Sequence, residues 1–198
     1  MRLKRPFFLR PPEVVAKELL GNSLYFKGIR VIIVETESYG VNDPACHAFK
    51  GKTPRNEPMF KKGGRSYVYF IYGMHFCFNV VTEKEGIPSA VLIRGAVPLA
   101  GLEEIQKKRG KKVTAEKIII GPGNFCRGLG IGREQNDIDL CESSDFYFYS
   151  GDLKSENLSI GISPRIGISE GKDKLWRFYL KEYDPDCLKM SKFGKKNL

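Results

Sequence analysis

An apolar run at residues 31–34 leads into an alternation that places Glu35, Glu37 and Tyr39 at every second position. Successive side chains of a strand point to opposite faces, so these three share one face if the strand stays regular. Upstream, Val15, Leu19 and Leu20 repeat with helical period over residues 11–20. Pro11 and Pro12 suit a first turn, Glu13 suits the helix dipole, and Gly21 is a stop. Residues 22–25 and 28–36 are predicted strands joined by a turn at Lys27 and Gly28.

Residues 66–71 and 76–82 alternate around Tyr72-Gly73-Met74-His75 and predict a hairpin. Two registers are open. A two-residue turn pairs Tyr69 with Phe78 and sends Asn79 to the opposite face. A three-residue loop, Tyr72 to Met74, pairs Ile71 with His75 and Tyr67 with Asn79. Tyr67, Tyr69, Cys77 and Asn79 then share a face, and Tyr72 rides on the tip. Exposed Tyr, Met and His at such a tip suggest insertion into a partner. Further on, residues 90–94 read as a strand and 98–109 as a helix with a basic last turn, closed by Gly110. Residues 115–120 suit helix or strand. Gly121-Pro122-Gly123-Asn124 is a breaker able to cap a short helix at 125–129, and a helix start there could bind phosphate. Residues 146–149, 158–162, 165–168 and 176–180 read as strands. No repeat or linker divides the chain. The expected fold is a strand-rich α+β single domain over residues 1–198, with helices at 11–20 and 98–109 and a frayed basic tail at about 187–198.

Residues 40–65 break every period. Gly, Pro and Asn punctuate them, and Lys50, Lys52, Arg55, Lys61, Lys62 and Arg65 load them with charge. A long structureless loop inside a small domain is typically functional or disordered, and Met59 and Phe60 argue against full disorder. The formal net charge of +10 and pI near 9.4 fit that loop. Such a surplus favours polyanionic partners. No apolar run is long enough to span a bilayer, and the apolar stretch near the N-terminus is too short for a signal peptide. A soluble, cytoplasmic protein is expected. The five cysteines are scattered and never spaced CxxC, so reduced, packed thiols are expected rather than a metal site.

Glu35 and Glu37 are the paired acids of the aromatic-rich half. Two strand positions separate them by about 6.6 Å, near the ~6.5–9.5 Å spread of an inverting sugar hydrolase. Neutral sugars do not call for a strongly basic surface, so the charge argues against that reading. Glu35 reads better as an ion-pair partner for one of the many lysines and arginines. No nucleophile elbow, Walker loop or dinucleotide fingerprint is present. Lys61 and Lys62 lack the apolar surroundings that depress an amine pKa and look like phosphate contacts. A non-catalytic nucleic-acid-binding module remains open on these features alone. Glu37 speaks against it, because an unpaired acid facing a phosphate backbone repels the ligand.

Six ordered stretches carry a resemblance: VETESY, ACH, TPRN-x-x-MF, YVY-x-IYGM-x-FC-x-N, VLIR-x-x-x-PL and RIGI…RFY. Together they resemble the alkyladenine (3-methyladenine, or methylpurine) DNA glycosylases over most of the chain. The resemblance implies base excision repair by a cofactor-free, metal-free and monomeric enzyme acting on double-stranded DNA with damaged purines. It implies a compact domain with a mixed, mostly antiparallel curved sheet, peripheral helices and a protruding hairpin that enters DNA. The damaged nucleotide would be flipped into a pocket. Glu37 would activate the attacking water, with Arg94 holding Glu37, the water or a nearby phosphate. Tyr39, His47 and Tyr69 would stack on the flipped purine, and Asn79 would sit against its edge and disfavour the exocyclic amine of guanine. Tyr72 would fill the gap left in the duplex. Thr53, Arg55, Lys61, Lys62, Met74 and His75 would contact the DNA backbone. The chain departs from the family pattern in a short loop between Tyr39 and Thr53, in Ser38 for alanine, and in His75 where a tyrosine is expected. It also matches poorly at residues 111–157 outside 121–131.

Overall fold

A computed structural model describes residues 1–110, 119–151, 153 and 158–183. Residues 115–118 of the ambiguous stretch 115–120, the basic tail and Cys187 lie outside the described residues. The strands are β1 (Ser23–Phe26), β2 (Ile29–Tyr39), β3 (Ser66–Ile71), β4 (His75–Val81), β5 (Ala90–Ala100), β6 (Phe146–Tyr149), β7 (Ile160–Ser163) and β8 (Arg177–Leu180). The helices are α1 (Arg5–Phe8), α2 (Pro12–Leu19), α3 (Leu102–Arg109) and α4 (Pro122–Leu129).

The apolar run Val31 to Val34 sits in the middle of β2, and the rest of the sheet is arranged on that strand. The order is β3-β4-β5-β2-β1-β6, with β8 also pairing β2 and β7 pairing β8. Every strand pairing among the described residues is antiparallel. One edge of β2 runs along β5 throughout, whereas the other pairs with β1 at Ile29–Ile32 and with β8 at Glu35–Glu37. The register against β5 shifts at the changeover, skipping Val34 on β2 and Arg94 on β5. Bulges bend a sheet and redirect side chains, often beside active sites.

One face of the sheet is the core. Val68, Phe78, Val80, Val91, Ile93 and Ile33 are buried there with Val15, Leu19, Phe125 and Leu129. Helix α2 packs on β2, α4 on β4 and β5, and α3 on α4. No helix among the described residues is long and apolar enough to cross a membrane.

Several element boundaries move from their sequence positions, each for a physical reason. The helix expected at 98–109 begins only at Leu102, because Pro98 to Ala100 continue β5 opposite β2. Pro98 is tolerated because pairing with β4 has already ended at Leu92, leaving β5 as an edge there. Gly101 makes the corner at φ +80°, and a Cβ on it would come within 3.1 Å of the Ile29 backbone. Helix α4 starts at Pro122, inside the predicted breaker, with proline in its first turn. The strand expected at 165–168 is a loop. Pro164 and Gly167, the latter at φ +76°, interrupt it, and the Ile166 N–H bonds a side chain instead of a ladder. Residues 40–65 are ordered by a small second core of Cys46, Ala48, Met59, Tyr67, Val81 and Ala90. Among these residues a 3-10 turn forms at Glu57–Phe60.

Candidate active site

The face of the sheet opposite the core carries a row of directly facing residues across five strands. Arg177 of β8 faces Glu37 of β2, which faces Leu92 of β5, then Asn79 of β4, then Tyr67 of β3. The hairpin has the three-residue loop: Ile71 pairs with His75, Tyr69 with Cys77, and Tyr67 with Asn79. A cleft of about 600 Å³ opens over this row. That volume lies in the usual range for small-molecule sites.

Glu37 is 0% exposed, in line with its place behind the cleft wall. Its Oε1 accepts the Ile166 N–H at 2.8 Å and lies 3.3 Å from Arg94 Nη1. Its Oε2 accepts the Tyr39 hydroxyl at 2.8 Å. All three of those partners line the cleft. An ionised carboxylate offers about four acceptor positions, so one on Oε2 stays open. Burial pushes the Glu37 carboxyl above its usual range, against the opposing pull of Arg94, the Ile166 N–H and Tyr39.

Glu35 lies on the same side of β2, and its environment differs. Its Oε1 accepts Arg94 Nε at 3.0 Å and Arg177 Nε at 2.6 Å. Arg94 thus bridges the two acids, aimed by the bulge. Burial works against its charge, but Glu37 and Glu35 more than offset this and hold it firmly protonated.

The aromatic wall is built from β3 and the 40–52 loop. His47 packs edge-on to Tyr69, with ring centroids 4.5 Å apart, and its Nδ1 hydrogen-bonds the Tyr67 hydroxyl at 2.9 Å. Burial, aided by Arg55, pushes the His47 pKa down and favours the neutral ring, while burial pushes Tyr67 up to about 12. Asn56, itself buried, donates to the carbonyls of His47 and Gly51 and so closes the loop that presents the histidine. Asn79 donates to the Tyr67 carbonyl at 3.0 Å.

The structure therefore gathers Tyr39, His47, Tyr69, Asn79, Arg94, Tyr72 and His75 on one cleft, with Glu37 directly behind it. Tyr72 is 77% exposed at the hairpin tip with φ +54°, and Met74 beside it is 69% exposed. His75 rests on the start of α4, where a Cβ on Gly123 would come within 2.9 Å of its ring. The basic residues spread more widely. Arg55 bonds the Phe70 carbonyl and lies 5.4 Å from the Tyr69 ring centre. Thr53 and Lys62 are exposed, and Thr53 exchanges hydrogen bonds with Asn56. Lys61 is paired with Asp137. Sequence reasoning assigned no role to Tyr67, Leu92, Cys77, Asn124 or Ile166, which also line the cleft. For Tyr67 the hairpin register carries the signal; Ile166 lies in the RIGI stretch of the resemblance, but nothing local ties it to Glu37, 129 positions away.

A family model described as methylpurine-DNA glycosylase (MPG) matches residues 6–184. A protein of Wolbachia sp. subsp. Brugia malayi named "Putative 3-methyladenine DNA glycosylase" is 48% identical over 177 residues, covering 89% of this chain and 95% of the relative. A protein of the same name from Carboxydothermus hydrogenoformans is 46% identical over 185 residues, covering 91% and 96%. One from Rickettsia rickettsii (strain Sheila Smith) is 45% identical over 178 residues, covering 89% and 88%. On this match, over nearly the whole chain, the protein belongs to the methylpurine-DNA glycosylase family.

Proposed function

We propose that the protein is a monofunctional DNA glycosylase that flips alkylated or deaminated purines out of double-stranded DNA and hydrolyses their N-glycosidic bond. The observation that carries this reading is the Glu37 carboxylate: buried behind an aromatic cleft, held by two hydrogen-bond donors and an ion pair with Arg94, with an acceptor position on Oε2 left over. A water held at that position would be oriented and deprotonated as it attacks the sugar C1′. Water is then the nucleophile, so no lysine imine forms and no strand is nicked by the enzyme. Tyr39, Tyr69 and His47 would stack on the extruded base, since every purine has a π-face and a cationic lesion adds attraction to an aromatic ring. Asn79 would meet the purine edge. Tyr72 would occupy the vacated space in the duplex, and Arg55, Lys62, Thr53, Met74 and His75 would grip the backbone around it. Extrusion costs a few kcal/mol, least for a damaged or mispaired base, which favours lesions. The enzyme would act without cofactor, as a monomer, in the compartment that holds the DNA.

The sugar-hydrolase alternative loses support from Glu35, which is occupied by Arg94 and Arg177 instead of facing a substrate. The deciding assay uses a duplex with one hypoxanthine or ethenoadenine and reads abasic sites by alkaline cleavage. The parent should release the base. Glu37→Gln should lose about 10²–10⁴-fold in single-turnover rate while still binding the lesion duplex. Equal rates for the two proteins would remove Glu37 from the chemistry. Binding without release from any methylated or deaminated duplex would favour a binding module.

A further inference from the structure

We infer that Arg165 is a positioning residue for Glu37, clamping the 164–171 loop so that the Ile166 N–H stays on the carboxylate. The inference rests on the reading of Glu37 as the base. The Arg165 side chain and that of its partner Asp43 are both wholly buried. Nη1 bonds Asp43 Oδ2 and the Ser38 carbonyl, and Nη2 bonds Asp43 Oδ1 at 2.8 Å and the Gly171 carbonyl at 3.4 Å. One guanidinium thus ties together the end of β2, the start of the loop that carries His47, and both ends of its own loop. Its plane centre lies 4.6 Å from the Tyr39 ring centre and 5.2 Å from that of Trp176. Tyr39 donates to one Glu37 oxygen, and Ile166, the next residue after Arg165, donates to the other. Arg165 therefore buttresses both hydrogen-bond donors on Glu37 without touching it. Lysine could keep the charge but not the planar fork that serves four acceptors at once.

The consequence is a pH dependence with a definite sign. The charged and titratable groups around Glu37 are Glu35 and Tyr39 on β2, Arg94 on β5, Cys77 on β4, Arg177 on β8, and Arg165 with the Ile166 N–H on the loop. Of these, the Ile166 N–H favours the ionised carboxylate and depends on the clamp. Loosening it makes Glu37 harder to ionise, so the acid limb of excision moves to higher pH.

The experiment measures single-turnover excision of hypoxanthine from duplex DNA against pH for the parent, Arg165→Lys and Asp43→Glu. The second variant keeps the charge balance while displacing the guanidinium. Both should shift the acid limb up by about one pH unit, the scale of one charge-assisted hydrogen bond. They should lose about tenfold on its acid side and approach the parent rate on its alkaline side. Rate constants at saturating enzyme do not depend on the folded fraction. A merely structural role would lower the melting temperature and leave the limb in place, and that result overturns the inference. Glu37→Gln in the same assay separates the two readings. If it stays active, Glu37 is not the base; if it is inactive while both clamp variants titrate like the parent, the positioning role alone fails.

Discussion

Glu35 and Glu37 stand two positions apart on one face of β2, and their neighbours give them opposite characters. Glu35 is neutralised by Arg94 and Arg177 at hydrogen-bond distance. Removing one partner of a buried pair leaves the other's charge uncompensated. Glu35→Gln should therefore destabilise the protein by about 3–5 kcal/mol in urea unfolding at pH 7. A change below ~1 kcal/mol would mean that water already screens the two arginines. Glu37 behaves in the reverse sense. Its folded pKa lies above the unfolded value. The stability this contributes is fully present below the unfolded pKa and is lost as pH rises through the folded one. Glu37→Gln, neutral at every pH, should therefore melt higher than the parent at neutral pH, with the difference shrinking as pH falls and the parent's carboxyl takes up its proton. A constant difference across that range would contradict the burial argument. Arg94 reads from the sequence as the end of a strand, and only the family resemblance sets it beside Glu37. Arg177 and Ile166 fall within the RIGI…RFY stretch of that resemblance, but nothing local links them to acids 142 and 129 residues away.

At the scale of elements, local chemistry was the legible part. Helix α2, the turn at Lys27–Gly28, β6 and the β3–β4 hairpin formed close to where apolar period and turn residues placed them. The hairpin register follows from period alone once the loop length is chosen, since a one-residue slip would turn Tyr69 away from Asn79. What local pattern could not supply was the branching of β2, whose lower half pairs with β1 and upper half with β8. Pairing with β2 likewise drew Pro98 to Ala100 out of a predicted helix and into β5, a tertiary override of a local signal. The hairpin tip also stores strain: Tyr72 holds φ +54°, a conformation that costs a tyrosine about 1–2 kcal/mol. Tyr72→Gly relieves that strain and takes only an exposed ring from the fold. Its melting temperature should match or exceed the parent's, while excision from a lesion duplex should fall. A lower melting temperature would show that the ring supports the hairpin instead of reaching outward.

Over the whole molecule, a net charge of +10 favours a polyanionic partner without saying where it would be held. The sequence marks Arg55, Lys61 and Lys62 alike as basic residues of one loop. The fold separates them. Lys61 joins Arg65 and Arg5 in a network closed by Asp137 and Asp139, so its charge is largely answered within the protein. Arg55 instead leans from the loop onto the hairpin, against the Phe70 carbonyl and the Tyr69 ring. Counterion release makes this distinction measurable. The logarithm of affinity for duplex DNA falls with the logarithm of salt concentration by about 0.9 for each phosphate neutralised. Arg55→Gln should lower that slope by about 0.9 on undamaged duplex and weaken binding uniformly across sequences. Lys61→Gln should leave the slope unchanged, because Asp137 already holds its charge. Titrations of undamaged duplex over a range of salt concentrations would decide. Equal losses for the two variants would mean that DNA draws Lys61 away from Asp137, and that the whole 40–65 loop is grip.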